Sequence, residues 1–348
     1  MEGFSLKTRV FFGEQPLAAL EELGERRVLI VTDGFLAQSG LLDRVKARLR
    51  GESAVFDQVT PDPSLELVAR GVAALQAAGA QAILAFGGGS PMDCAKAIRH
   101  FSGERLPLWC VPTTAGTGSE VTSFAILTDT QRGVKHALVD DALLPEAAVL
   151  VPEFLAGVPA AVTADTGMDV LTHAAEAYVA RGANSFTDAL AEAAFTAAFR
   201  LLPAAHRGDM EARAGMLEAS CMAGMAFNAA GLGVCHSLAH VLGGAHHLPH
   251  GKINAILLPK VITWHMETAP ETREKYARLA KRCGLAPNPR SLAAGLGRLA
   301  RSLGEPERFP EEMDVPALAA RAMQDRCTPS DPAAVTEAAL GSILEAVR

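Results

Sequence analysis

Asp169 and His173 lie four residues apart in an alanine-rich segment, so their side chains project from the same face of a predicted helix. His236 and His240 repeat this spacing, and His250 follows in HHLPHG after a Gly-Gly pair that we interpret as a turn. One carboxylate with several imidazoles is a donor set for a first-row divalent metal ion. A single histidine on such a helix is more often a hydrogen-bonded core residue. Together, however, these side chains predict a metal site, because burying them without a cation leaves polar atoms unsatisfied.

Two glycine-rich loops follow predicted strands in the first half of the chain. One is Gly87-Gly88-Gly89-Ser90-Pro91-Met92-Asp93, in which Ser90 is predicted to cap the next helix and Asp93 to complete a capping box. The other is the segment TTAGTGSE at 113–120. Glycines let backbone N–H groups approach an anion, so two such loops on neighbouring strand ends predict a clamp for a diphosphate. Each loop alone is also compatible with a tight turn.

Asp33 stands at the carboxyl end of the first predicted parallel strand, VLIVT at 28–32. A carboxylate at this position can accept hydrogen bonds from an adenosine ribose, and it repels a 2′-phosphate. The residue therefore favours NAD over NADP. The alternative is that Asp33-Gly34 is only a turn.

A divalent ion beside a nicotinamide predicts hydride transfer between an alcohol and an aldehyde, because the ion binds the oxygen of either one. This chemistry also needs a group that carries the hydroxyl proton. His240 is our candidate for relaying it to solvent, although the sequence shows no clear carboxylate partner for this ring.

The elements that must position these residues change character near the middle of the chain. Apolar runs at 28–32, 82–86, 108–111, 124–128 and 147–151 read as strands, and 64–78 reads as a helix between two of them. From Pro159 onward the pattern is helical, at 159–180, 187–202, 211–228, 234–242, 271–283 and 291–303. We therefore predict an open α/β domain at 1–155, which carries the glycine-rich loops, followed by an all-α domain at 156–348, which carries the candidate metal ligands.

The composition limits the classes of partner. The 348 residues carry 39 acidic and 32 basic side chains, giving a net charge of −7, so binding to nucleic acid or to an anionic membrane surface is not expected. The six cysteines show no CxxC spacing and read as reduced thiols. The N-terminal residues lack the pattern of an export signal, so we expect a cytoplasmic protein.

The stretch 219–251 contains no Asp, Glu, Lys or Arg and is long enough to span a bilayer. It nevertheless holds five of the ten histidines, together with several glycines. Because imidazoles are costly in lipid, we interpret the stretch as the wall of a dry pocket for a small neutral substrate.

Four motifs in order identify a resemblance that runs across nearly the whole chain. GGGSPMD at 87–93, PTTAGTGSE at 112–120, TGMDVLTHAAEAYV at 166–179 and HSLAHVLGGAHHLPHG at 236–251 resemble the iron-dependent alcohol dehydrogenases, also called group III. Within this family, FSLKTRVFFG, DGFLAQSGLLD, TPDPSLELV and SFTDALAEAA are most similar to the propanol and ethanolamine-pathway branch.

The resemblance implies an α/β N-terminal Rossmann-like dinucleotide-binding domain followed by an all-α metal-binding domain. It also implies a homodimer, with packaging in a bacterial microcompartment in that branch. It places the metal ligands at Asp169, His173, His236 and His250, and the nicotinamide-side histidine at His240. The metal is Fe(II) in most members and zinc in some. The dinucleotide contacts that it implies are Asp33, Gly88, Gly89, Ser90, Asp93, Thr113, Thr114, Thr117, Thr122 and Lys135.

Related reactions remain as alternatives. Dehydroquinate synthases have the same fold, but their anionic substrates need several cations near the metal, and here only Arg181, Arg213 and Lys252 border the metal-bearing segments. We therefore expect NADH-dependent interconversion of short-chain primary alcohols and aldehydes, such as propanal or acetaldehyde. The alternatives are a zinc- or iron-dependent small-polyol dehydrogenase and an inactive, microcompartment-associated binding protein.

Overall fold

The computed structural model describes residues 4–130, 134–246, 248–309 and 312–348. The chain divides into two compact units, Met1–Gly157 and Val158–Arg348. The first is an α/β unit and the described part of the second is helical, which confirms the predicted fold class.

A six-stranded parallel sheet forms the centre of the first unit. In spatial order its strands are β1 (Arg9–Phe11), β8 (Ala147–Val149), β5 (Leu108–Pro112), β4 (Ala82–Gly87), β2 (Val28–Asp33) and β3 (Ser53–Val59). A separate antiparallel pair joins β6 (Phe124–Asp129) to β7 (Val134–Val139).

Helices cover this sheet because alternate side chains of its strands point to opposite faces. Leu29 and Val31 pack in one apolar cluster, which includes residues of α3 (Leu65–Ala78) and α4 (Gly89–Ser102). Val28 and Ile30 pack in the other, with residues of a 3-10 helix, of α1 (Gly34–Gln38) and of α2 (Leu41–Lys46). Both faces are therefore buried, as the continuous apolar runs predict.

The strand order reverses between β2 and β4. After β2 the chain goes outward to β3, whereas after β4 it goes the other way to β5. In open parallel sheets, ligands bind at the carboxyl ends of the strands beside such a reversal. Asp33 and both glycine-rich loops lie at this edge of the sheet, because Asp33 is the last residue of β2 and the loops stand at the carboxyl ends of β4 and β5.

The described residues of the second unit contain helices and no strand. The helices are α5 (Ala160–Val179), α6 (Ser185–His206), α7 (Met210–Ala230), α8 (Val234–His246), α9 (His250–Thr268), α10 (Arg273–Arg282), α11 (Pro289–Ser302), α12 (Val315–Met323) and α13 (Glu337–Glu345). Small residues allow close helix packing: a Cβ on Gly167 of α5 would lie 2.2 Å from Leu202 Cδ1 of α6.

Three local predictions were wrong. Helix α9 was not predicted, although it carries His250; Pro259 stands inside it and the helix continues. The Gly243-Gly244 pair lies within α8 and is not a turn. Helix α4 begins at Gly89 with Gly88 at its N-cap, so Ser90 is not the cap, and Asp93 bonds elsewhere.

The charge-free stretch 219–251 is divided among α7, α8 and the first residues of α9. Among the described residues, no single helix is long and apolar enough to cross a membrane. Only as a pair do helices α7 and α8 have the length and apolar composition of a membrane span, and the pair is bent by 105° at the break between them.

Candidate metal centre and nucleotide-binding loops

Three of the predicted imidazoles converge on one oxygen atom of a fourth predicted side chain, Asp169 Oδ1. The Nε2 atoms of His173, His236 and His250 lie 3.8, 3.7 and 3.6 Å from it, respectively. Helix α5 supplies the carboxylate and His173, the first turn of α8 supplies His236, and His250 is the first residue of α9. Two ligands of one tetrahedral metal ion lie about 3.4 Å apart. Each imidazole is therefore close to metal-ligand spacing from the carboxylate, and the ligand atoms of Asp169, His173 and His236 all lie within 4.8 Å of one another.

The electrostatics of this cluster favour a cation. Burial by itself would raise the pKa of Asp169, yet the imidazoles of His173, His250 and His236 hold it below its usual range. Desolvation opposes the charge on His236, but Glu176 and Asp169 on either side raise its pKa to about 9. Its Nε2 atom is buried without a hydrogen-bond partner among the described residues. A metal ion would satisfy this atom, so the donor set fits the group that the sequence predicts.

His250 supplies a neutral ring. Desolvation of the imidazole, reinforced by the nearby rings of His236 and His240, holds its pKa below the usual range despite the attraction of Asp169. The side chain is only partly buried, with 37% of its surface exposed. A neutral imidazole can donate its lone pair to a metal ion near pH 7 without first losing a proton.

Two buried residues that the sequence analysis missed bond to the candidate metal ligands. Asn254, one turn after His250 on α9, donates from Nδ2 to Asp169 Oδ1 at 2.8 Å. Glu176 Oε2 accepts from His236 Nδ1 at 2.5 Å. A signal for Glu176 was present, because it lies three residues after His173 on the face of α5 that carries Asp169. The sequence held no comparable signal for Asn254, since α9 itself was not predicted.

His240 has the carboxylate partner that the sequence did not reveal. Its Nδ1 atom lies 2.9 Å from Asp325 Oδ2, in the segment after α12. Burial opposes ionisation of Asp325, but the hydrogen bond from His240 lowers its pKa to about 2. The ring of His240 stacks on His250, with centroids 5.4 Å apart. His240 therefore lies directly beside the four candidate metal ligands.

The two glycine-rich loops lie against each other at the ends of β4 and β5. A Cβ on Gly88 would lie 3.1 Å from Thr114 Oγ1, and one on Gly89 would lie 2.9 Å from Thr117 Cγ2. No side chain caps the N-terminus of α4 among the described residues, so the backbone N–H groups of its first turn, which includes Ser90, remain open to a ligand. The arrangement is that of an anion clamp.

Other predicted cofactor contacts take part in internal structure. Asp33 Oδ1 accepts from the Leu36 backbone N–H at 2.9 Å and caps α1. Asp93 accepts from Ser119 Oγ at 2.8 Å and from the Ile126 backbone N–H at 3.0 Å. Direct contact of either residue with a dinucleotide stays a prediction.

The fully buried Lys96 ties α4 to the second loop and to the residues that follow it. Its Nζ donates to Ser119 Oγ at 2.8 Å, to Thr122 Oγ1 at 3.1 Å and to the Phe124 carbonyl at 2.8 Å. Thr122 is thus buried as part of this network, and Thr113 is buried at the end of β5. Lys135 lies in β7, and its side chain is outside the part of the chain that the structure describes.

Comparisons with known proteins agree with this geometry. Residues 7–152 match the model of the iron-containing alcohol dehydrogenases, and residues 163–348 match that of the Fe-containing alcohol dehydrogenase family, C-terminal. The 1-propanol dehydrogenase PduQ of Salmonella typhimurium is 44% identical over 334 residues, covering 94% of this chain and 89% of the relative.

Two solved structures have the same fold over the full length of this chain. A 1,3-propanediol oxidoreductase superposes with a TM-score of 0.94 at 35% identity, with 100% of both chains covered. A sulfoacetaldehyde reductase from Bifidobacterium kashiwanohense, solved in complex with NAD+, superposes with a TM-score of 0.91 at 26% identity, covering 100% of this chain and 98% of that one. The chain therefore belongs to the iron-containing alcohol dehydrogenase family and is an oxidoreductase that acts on alcohols.

Proposed function

We propose that this chain uses NAD(H) and a divalent metal ion, Fe(II) with zinc as the alternative, to interconvert short-chain primary alcohols and aldehydes. The metal ligands in this proposal are Asp169, His173, His236 and His250. The observation that carries it is the convergence of three imidazole Nε2 atoms within 3.6–3.8 Å of Asp169 Oδ1.

When bound, a divalent ion supplies Lewis-acid chemistry that polarises an alcohol or carbonyl oxygen. The protein's own contribution includes a path for the proton. Asp325 accepts from His240 Nδ1, which leaves His240 Nε2 as the atom that exchanges a proton. Since 32% of the His240 side chain is exposed, solvent can take up or return that proton. We therefore propose His240 as the catalytic proton carrier and Asp325 as the residue that positions it.

The cofactor proposal depends on the sheet edge of the first unit. The open N-terminus of α4 and the adjacent threonine loop suit a pyrophosphate, and Asp33 at the end of β2 suits an unphosphorylated ribose. The NAD+ complex of the sulfoacetaldehyde reductase supports NAD as the ligand of this fold.

The substrate proposal depends on the cations that border the metal-bearing segments. Arg181 donates to the carbonyls of Asp331 and Ala333, and Arg213 donates to those of Ala205 and Val158. Lys252 faces the carboxylates of Asp165 and Glu305 at 3.7 and 3.9 Å. All three cations are thus engaged within the protein, which favours a neutral substrate over an anionic one. The similarity to a 1-propanol dehydrogenase favours propanal and 1-propanol.

A homodimer, a cytoplasmic location and packaging in a bacterial microcompartment belong to the same proposal. The family resemblance alone supports the homodimer and the packaging. Light scattering of the purified protein tests the homodimer, which predicts twice the chain mass of 36.4 kDa.

The test of the activity is a substrate panel on purified, iron-loaded protein. We expect NADH oxidation with propanal, acetaldehyde and lactaldehyde, with little turnover of the anionic sulfoacetaldehyde and a preference for NADH over NADPH. Faster turnover of lactaldehyde than of propanal would instead support the polyol alternative. Absence of NADH oxidation with all three neutral aldehydes would contradict the proposal.

A further inference from the structure

Two buried carboxylates hold the N-terminus of α8, the helix that carries His236. Asp331 Oδ2 accepts from the Val234 backbone N–H at 2.9 Å, and Glu176 Oε1 accepts from the Cys235 backbone N–H at 2.7 Å. The preceding Gly233 has no room for a side chain, because a Cβ there would lie 2.6 Å from Asp331 Oδ2 and 3.0 Å from Glu176 Oε1. Two otherwise unpaired N–H groups of the helix are thereby satisfied away from water.

The second oxygens of these carboxylates have different partners. Glu176 Oε2 accepts from His236 Nδ1 at 2.5 Å. Asp331 Oδ1 accepts from the Ala333 backbone N–H at 2.9 Å and lies 3.1 Å from His265 Nε2. Both carboxylates therefore anchor the helix, but only Glu176 contacts a candidate metal ligand.

We propose that Glu176 is a positioning residue that fixes His236 in the tautomer with the proton on Nδ1, whereas Asp331 only anchors α8. This inference depends on the proposed metal site. An ionised carboxylate can only accept a hydrogen bond, so the hydrogen on Nδ1 points to Glu176 and the Nε2 lone pair is left for a metal ion. Nε2 in turn lies 3.7 Å from Asp169 Oδ1, on the side of the ring that faces the cluster.

The substitution Glu176→Gln tests this role without changing the size of the side chain. An amide has one acceptor and one donor, so whichever way it turns, an NH2 group faces either the Cys235 backbone N–H or His236 Nδ1. The orientation that keeps the helix cap puts the NH2 group against Nδ1 and moves the proton of His236 to Nε2. We expect the affinity for Zn2+, measured by competition with a chelator, to fall roughly ten- to hundredfold.

Asp331→Asn is the matched control, because it perturbs the neighbouring hydrogen bond of the same helix. We expect it to lower the midpoint of thermal unfolding of the metal-free protein at least as much as Glu176→Gln does. Its Zn2+ affinity is expected to stay within about threefold of wild type. Nitrogen-15 NMR of the Zn2+-loaded wild-type protein should show Nδ1 protonated and Nε2 bound to metal in His236.

The outcomes separate this inference from the proposed function. Failure of the wild-type protein to bind Zn2+ contradicts the proposed metal site. If the wild-type protein binds Zn2+ but Glu176→Gln binds it with unchanged affinity, only the role of Glu176 is overturned. The same holds if Asp331→Asn loses as much Zn2+ affinity as Glu176→Gln does. If the Gln variant does not fold, the NMR spectrum of the wild type decides, because a metal-bound Nδ1 in His236 also overturns that role.

Discussion

His240 is the residue through which we expect the hydroxyl proton to pass, and Asp325 positions its ring. The two side chains meet at 2.9 Å, and the stacking of His240 on His250 keeps the ring beside the candidate metal ligands. A positioned proton carrier contributes a rate factor of about 10²–10⁴. We expect His240→Ala to lower kcat for propanal reduction by at least about a hundredfold, and Asp325→Asn to lower it by about tenfold.

Metal content is the control for these two variants. It should stay at the wild-type value, because neither residue belongs to the proposed ligand set. A kcat for His240→Ala within twofold of wild type would remove this residue from the proton path.

Glu120 makes the stability of the first unit depend on pH. The side chain is 2% exposed, and its Oε1 has no hydrogen-bond partner in the part of the chain that is described. Burial raises its pKa to about 7 from an ordinary value of 4.5, with Lys96 opposing the shift. Because the folded state holds this proton more tightly than the unfolded state does, the full contribution to stability is present below pH 4.5. The contribution is lost as the pH rises through about 7.

At pH 8 we therefore expect the free energy of unfolding of Glu120→Gln to exceed that of wild type by up to about 3 kcal/mol, for a pKa shift of this size. At pH 4.5 we expect no such gain. Thermal unfolding of both proteins at the two pH values measures this difference. An identical difference in unfolding midpoint at both pH values would mean that ionisation of Glu120 carries no stability cost.

Residue types alone identified the histidines and the carboxylate of the cluster, because few other side chains suit a divalent ion. The residues that hydrogen-bond to these side chains were harder to predict from the sequence. Asp169 and Asn254 are 85 positions apart in sequence, as are His240 and Asp325, and Glu176 and His236 are 60 apart. Only tertiary packing brings such pairs together, so no local pattern could have assigned them.

At the scale of elements, the contact between α5 and the start of α9 sets the position of His250. Gly251 lies so close to α5 that a Cβ there would be 1.8 Å from the Asp165 carbonyl oxygen. We expect Gly251→Ala to separate the two helices, to lower the free energy of unfolding by about 1–3 kcal/mol or more, and to weaken metal binding.

Gly244→Ala is the matched control for this substitution. Gly244 lies inside α8, where a Cβ would meet only Arg321 Nη2 at 3.7 Å, an ordinary contact. An alanine in a helix interior is more favourable than glycine by roughly 0.5–1 kcal/mol, so this variant should be at least as stable as wild type. Wild-type metal affinity in Gly251→Ala would show that the helix contact does not control the site.

The elements themselves were predictable where periodicity was strong. Helix α5 matches its predicted range closely, because its apolar and polar positions follow the helical repeat and few residues in it break helices. Helix α9 was not predicted. Pro259 stands inside it, but buried residues such as Ile253, Leu257 and Val261 hold the helix in place. Tertiary packing outweighed the local preference of one proline.

At the scale of the whole molecule, each unit holds one part of the proposed chemistry. The parallel sheet of the first unit collects Asp33 and the glycine-rich loops at one edge, and the helices of the second unit collect the metal donors. The order of strands could not be read from the sequence, since β1, β3 and β7 were not predicted. The fold class of each unit could be predicted from the sequence, because continuous apolar strands and alanine-rich helical segments occupy different halves of the chain.

The central claim is that Asp169, His173, His236 and His250 hold a metal ion that alcohol oxidation and aldehyde reduction require. The most direct test is the rate of NADH oxidation with propanal in wild type and His250→Ala, each supplied with Fe(II), with NADH binding measured on the same samples. We predict that the variant loses turnover while its NADH affinity stays within about twofold of wild type. Wild-type turnover in His250→Ala would contradict the assigned metal site.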